Sequence, residues 1–237
     1  KQLPGGENVL VQNYVYNHPN LMNVYKDGID STGEMLSFFS ELFGTYPFHK
    51  EKYGHCMAPV FGGMEHQTMT FMSTPNIHTT LIAHELAHQW WGNSVTYGKW
   101  EDIWLSEGMA TYTEQLYLEH FWGNAAAKAT RTSVFNQVMS QAGGSVWVND
   151  TTNVYRIFDG RLTYNKGAAV AHMLRYLAPQ DSLYFAGLRA YQQQYKYGTA
   201  VTSDLQQVMK QTYGKQLDSF FKLNSPFWLM TIRSLHS

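Results

Sequence analysis

The sequence predicts an α+β fold in which a small, mixed-sheet lobe comes first and a mainly helical lobe follows. Between Tyr53 and Ser73, Met64, His66, Thr68, Thr70 and Met72 alternate with Glu65, Gln67, Met69 and Phe71, which is the period of a strand. Further along, apolar residues recur at helical spacing in segments closed by Gly or Pro. At 237 residues the chain can form one large domain or two lobes sharing a cleft, and the two-part pattern favours two lobes.

Taken in order, residues 1–20 mix Gly, Pro and Asn with alternating Val9, Val11, Tyr14 and Tyr16, and are read as a linker entering a short extended segment. Met35, Phe38, Phe39 and Leu42 place a packing helix over 31–42, ended by Gly44 and Pro47. Ala58-Pro59-Val60-Phe61 leads through Gly62-Gly63 into 64–72, which predicts two strands around a glycine turn. Helices are expected at 82–91, from 104 to 121, at 125–141 before Gly143-Gly144, and at 167–177 before Pro179. Three more are expected at 183–195, 203–213 and 216–223, with Thr202-Ser203-Asp204 capping the middle one.

Composition narrows the function classes. Hydrophobic residues make up 44% and charged residues 15%, which fits a packed core and argues against disorder. A net charge of -1 leaves no electrostatic footprint for nucleic acid. No apolar run reaches the roughly 18 residues needed for a transmembrane segment. Cys56 is the only cysteine, so neither an intrachain disulfide nor a cysteine metal cluster is expected. The start at Lys1, without initiator Met or signal peptide, reads as a piece of a longer protein. The compartment stays open, with a compositional lean toward periplasmic or secreted.

The chemistry concentrates in His84-Glu85-Leu86-Ala87-His88 and Glu107. On a helix, residues four apart are rotated by about 40° and lie one turn apart, so both imidazoles can converge on one ion. Eighteen residues separate His88 from Glu107, room for the first helix to end near Gly92-Asn93 and a second, starting at Trp104, to return a carboxylate. Two His and one Glu leave a fourth position on a single zinc ion for water, and Glu85, beside the metal rather than on it, can take that water's proton. Glu114 lies seven residues after Glu107, on nearly the same helical face, and can accept a hydrogen bond from a ligand imidazole. Histidines 18, 49, 55, 78, 120, 172 and 236 have no partner at ligand spacing and read as surface or packing residues.

With His84 to Asn93 (HELAHQWWGN) and Trp104-Leu105-Ser106-Glu107-Gly108, the chain resembles the M1 family of zinc aminopeptidases. Gly62-Gly63-Met64-Glu65-His66 is similar to that family's Gly-x-Met-Glu-Asn exopeptidase segment, and Tyr164-Asn165-Lys166-Gly167 to its Tyr-x-Lys-Gly segment. The resemblance implies a thermolysin-like (gluzincin) catalytic domain over 21–223, with zinc held by His84, His88 and Glu107 and with Glu85 as general base. It implies a hydrogen bond from Tyr164 to the oxyanion, and substrate binding by Gly62, Gly63, Met64, Glu65 and His66, where Glu65 takes the free α-amino group of a peptide. His66 departs from the family's Asn, and its bulkier ring is expected to narrow the first subsite. The resemblance also implies flanking domains that help close the cleft. Residues 224–237 do not match it, and are read as vector sequence or local variation. Two alternatives stay open: a related hydrolase with endopeptidase or other preference, and an inactive zinc-binding domain used for protein interaction.

Overall fold

The computed structural model describes residues 1–17, 21–73 and 78–223; the non-matching tail, His18 and His236 lie outside them. Helix α1 (Leu21–Phe43) starts ten residues before the expected helix. Tyr25 and Ile29 are buried with Thr32, Met35, Leu36 and Phe39, so the buried stripe runs back through Gly28, whose poor helix propensity interrupts the pattern in the sequence.

Strands β1 (His55–Met57), β2 (Gly63–Met64) and β3 (Thr70–Met72) form a sheet in the order β1-β3-β2. β1 runs parallel to β3 with His55 opposite Thr70, and β2 runs antiparallel to it with Gly63 opposite Met72. This corrects the two strands expected around a glycine turn. Pro59 has no N–H to give a ladder, so 58–61 is not strand. Gly63 itself belongs to β2, and the reversal falls later, where Met69 N–H bonds to His66 O at 3.0 Å. The extended N-terminal segment runs along β1, with Gln12 N–H on Tyr53 O at 2.9 Å and Tyr14 N–H on His55 O at 2.8 Å.

The helical lobe contains α2 (Thr79–Ala87), α3 (Trp104–Trp122), α4 (Asn124–Met139), the short α5 (Val154–Ile157), α6 (Gly167–Tyr176), α7 (Asp181–Tyr195), α8 (Thr202–Tyr213) and α9 (Asp218–Leu223). A parallel pair, β4 (Val95–Tyr97) with β5 (Gly198–Ala200), escapes sequence reading because three residues are too few to show a period. At the start of α8 it is the Asp204 carboxylate that caps, accepting Val201 N–H at 2.8 Å, while Thr202 donates its hydroxyl to Asp102 at 2.6 Å.

Helix α2 ends at Ala87, short of the expected Trp91. His88 keeps a helical φ of -58°, but Asn93 and Ser94 N–H then reach carbonyls five residues back, on His88 and Gln89, and open the helix into a turn. Two tryptophans lock this end. Trp90 meets the edges or faces of Phe39, Phe43 and Tyr46 at centroid distances of 5.6–6.2 Å and donates Nε1–H to Gly44 O at 2.8 Å. Trp91 stacks on Tyr191 of α7 at 5.9 Å. Such pairs contribute about 0.5–1.5 kcal/mol each beyond their burial, which holds the motif helix rigidly between α1 and α7.

Candidate metal centre

His84 and His88 project from α2 and its C-terminal cap, one turn apart, and Glu107 comes from the first turn of α3. Their Nε2 atoms lie 3.1 Å from each other, and Glu107 Oε2 lies 3.4 Å from the first and 3.2 Å from the second. The outer ring nitrogens are engaged. His84 Nδ1–H donates to Glu114 Oε1 at 2.7 Å, and His88 Nδ1–H to Trp91 O at 2.9 Å. Ser106 Oγ stands 3.0 Å from the same His88 nitrogen and donates its own proton to Trp91 O at 2.8 Å. With Nδ1 protonated on both rings, two nitrogen lone pairs and a carboxylate oxygen face one point.

That arrangement demands positive charge. Burial opposes a charge on either ring, yet Glu107 outweighs it at both, joined by Glu114 at His84. His88 is raised to about 9 and His84 well above its ordinary value. Burial likewise opposes the Glu107 carboxylate, and the two imidazoles overcome it and hold Glu107 ionised. Three donors of the kind and number zinc takes, with orienting partners behind both imidazoles, fit a divalent zinc ion.

Glu85 lies on the same helix with 4% of its surface exposed, and its Oε2 has no hydrogen-bond partner among the described residues. Burial pushes its carboxyl up to about 7, against the pull of the His84 and His88 rings. Gly63 of β2 packs directly on it; a β-carbon there would stand 2.3 Å from Glu85 Oε1. Glu65, just past β2, places a carboxylate oxygen within 4.8 Å of ligand atoms of Glu85 and His88.

Tyr164 sits on a π-helical stretch, Gly160–Lys166, that runs into α6. Its ring lies parallel to that of His84 at 6.2 Å, and burial, then the negative charge of nearby Glu107, push the phenol pKa up and keep it protonated. The stretch is held from three sides. Asp159 Oδ1 accepts Leu162 N–H at 2.7 Å, Lys166 Nζ donates to Gly144 O at 2.5 Å, and Gly108 of α3 meets Gly167 so closely that a β-carbon on either would stand 2.7 Å from the other's Cα.

All these side chains open on one cleft of about 850 Å³, lined by Gly62, Gly63, Met64, Glu65, His84, Glu85, His88, Glu107, Glu114 and Tyr164. His66 is the exception. Its exposed ring turns edge-on to Phe71 at 4.8 Å, and it does not line the cleft. Ser106 lies inside the quoted Trp104–Gly108 segment without a role of its own there, and Tyr97 and Phe158, which also border the cleft, carry no sequence signal. His78, read as a surface or packing residue, caps α2 by accepting Leu81 N–H at 3.2 Å and borders the same cleft.

The chain is similar to known proteins over most of its length. The chain is 33% identical over 213 residues to aminopeptidase N of Rattus norvegicus, spanning 78% of this chain and 22% of that protein. It is 28% identical over 226 residues to probable aminopeptidase 2 of Sulfurisphaera tokodaii, spanning 86% of this chain and 29% of that one. The chain therefore covers between about a fifth and a third of the length of these two relatives. Among solved structures, a variant of the M1 zinc metallopeptidase from Deinococcus radiodurans bound to a Tyr-Ser-Ala substrate superposes with a TM-score of 0.81 at 27% identity, over 94% of this chain and 49% of that one. Residues 28–224 match the peptidase family M1 domain, so this α+β chain, with its paired histidines and returning glutamate, belongs to peptidase family M1.

Proposed function

We propose that the chain is the catalytic domain of a zinc aminopeptidase that removes N-terminal residues from peptides. The observation that carries this reading is the place of Glu65, an acid at the edge of the sheet within 4.8 Å of Glu85 and His88, where it can pair with a substrate's free α-amino group. An endopeptidase has no use for an anion at that distance. The names of the relatives and the tripeptide substrate bound to the Deinococcus radiodurans protein support the same substrate class.

His84, His88 and Glu107 would hold the metal. When bound, zinc lowers the pKa of water and polarises the scissile carbonyl. Glu85, with its carboxyl near neutrality and no competing partner among the described residues, takes a proton from the attacking water and passes it to the departing amine. Tyr164 keeps its proton and donates a hydrogen bond where negative charge develops on the former carbonyl oxygen. Glu114 fixes the tautomer and angle of His84.

The test is hydrolysis of a panel of free-amine aminoacyl fluorogenic substrates and their N-acetylated counterparts, with zinc content measured alongside. One zinc per chain, cleavage confined to free amines, and loss of that cleavage in Glu85→Gln with zinc retained are the expected results. Equal cleavage of acetylated substrates would overturn the aminopeptidase reading.

A further inference from the structure

Glu65 lies one residue past the last ladder pair of β2, so the sheet alone does not fix its side chain. The turn that follows is strained. Thr68 adopts a φ of +63°, a left-handed conformation that β-branched residues rarely take, and such a conformation persists only where surrounding contacts over-determine it.

Those contacts come from the end of the helix that carries the metal ligands. Gln89, fully buried, accepts Thr68 N–H on Oε1 at 2.9 Å and points Nε2 at the carbonyls of Glu65 and His66 at 3.4 and 3.5 Å. Asn93 donates Nδ2–H to Glu65 O at 2.6 Å. On the far side, Lys52 Nζ donates to Thr68 O at 3.1 Å. A buried amide is costly unless its bonds are made, and an apolar side chain would fill the Gln89 position at lower cost, so the amide matters for the bonds it forms.

We propose that Gln89 and Asn93 are positioning residues for N-terminal recognition. They tie the backbone of Glu65 to the same helix end as His88, one and five residues beyond that ligand, and so set the separation between the amine-binding carboxylate and the metal. The inference rests on the reading of Glu65 as the amine anchor. A peptide's α-amino group and its first carbonyl stand a fixed distance apart, so an enzyme that counts one residue needs that separation held within a fraction of an ångström. Hydrogen bonds between the two carriers of the measuring groups supply this directly.

The experiment is calorimetric binding of leucine hydroxamate and N-acetyl-leucine hydroxamate to the zinc-loaded protein. Both probes bind metal and only the first carries a free amine. The wild type is compared with Glu65→Gln, Asn93→Ala and Gln89→Met, the last keeping the length of the side chain and losing both the acceptor for Thr68 N–H and the donor to the Glu65 and His66 carbonyls. The expected result is that Asn93→Ala and Gln89→Met weaken the free-amine probe about tenfold and leave the acetylated probe and zinc content unchanged. If Asn93→Ala does not fold, Asn93→Asp keeps the size and removes the donor. Preserved discrimination in these variants while Glu65→Gln abolishes it would overturn the positioning role alone. Equal binding of the two probes by the wild type, or no effect of Glu65→Gln, would overturn the amine-anchor reading beneath it. A parallel loss of both probes would reduce Gln89 and Asn93 to general packing and also overturn the proposal.

Discussion

Gly63 and Glu85 touch so closely that a β-carbon on Gly63 would stand 2.3 Å from Glu85 Oε1 and 2.5 Å from its carboxyl carbon. The sheet thus rests on the proposed base, and the missing side chain on β2 is what lets that carboxylate stand beside the proposed metal ligands. Gly63→Ala must push Glu85 or the strand aside, and a displacement of about 1 Å at a reacting group can cost on the order of 100-fold in rate. The expected outcome is a fall of that size in kcat/KM with zinc content unchanged, measured on a free-amine substrate. Full activity in Gly63→Ala would show that Glu85 has room to spare.

His84 is oriented by Glu114 across 2.7 Å, from a helix face two turns beyond Glu107. Replacing the carboxylate by an amide in Glu114→Gln keeps the shape and removes the charge behind the imidazole. Partners of this kind are worth about 10–100-fold in metal affinity. A competitive chelator titration is expected to show zinc binding weakened within that range, with little change in unfolding midpoint of the metal-free protein.

The legible part of this molecule is the part that helical geometry converts directly into space. His84, His88, Glu107 and Glu114 could be placed together because four- and seven-residue spacings put side chains on one face. The unread parts depend on groups that leave no periodic trace. Trp91 O and Ser106 behind His88 involve a backbone carbonyl and a residue 18 positions away. The π-helical stretch under Tyr164 comes from clamps on Gly144 and Gly108, remote in sequence. His66 was grouped with its neighbours in a continuous motif, but the ladder of β2 ends at Met64, and the ring is free to turn onto Phe71. Gln89 and Asn93 stood inside the quoted motif, yet their partners are main-chain atoms of a turn whose strain only coordinates reveal.

Gly108 and Gly167 make the crossing of α3 and α6 as close as two helices allow, each Cβ position falling 2.7 Å from the opposite Cα. Because Glu107 and the Tyr164 stretch flank this contact, its spacing sets the distance between them. Gly108→Ala forces backbone against backbone, and overpacking of this kind costs about 1–3 kcal/mol. Urea unfolding should show a loss of that order, and kcat should fall further than KM rises, because in the proposed mechanism a shifted Tyr164 loses contact with the developing charge rather than with bound substrate.

His55 supplies a pH dependence of stability separate from the metal centre. It is buried on β1, with Nδ1–H on Asn13 Oδ1 at 2.9 Å, Tyr53 edge-on at 5.3 Å, and Nε2 without a partner among the described residues. Burial lowers its pKa from 6.5 to about 4, since a proton on Nε2 would find no acceptor. The unfolded chain binds that proton below pH 6.5 and the folded one does not. The stabilisation is therefore complete above pH 6.5, declines as pH falls toward 4, and is spent below it. Across this window the loss attributable to His55 is roughly 3 kcal/mol. Acid also protonates the proposed metal ligands, so the measurement is the difference between wild type and His55→Gln in urea midpoints at pH 7 and pH 4.5, both without metal. The wild type is expected to lose more stability on acidification than the variant. Parallel losses would mean that His55 becomes charged in the folded state without penalty, and that the space around Nε2 admits an acceptor such as water.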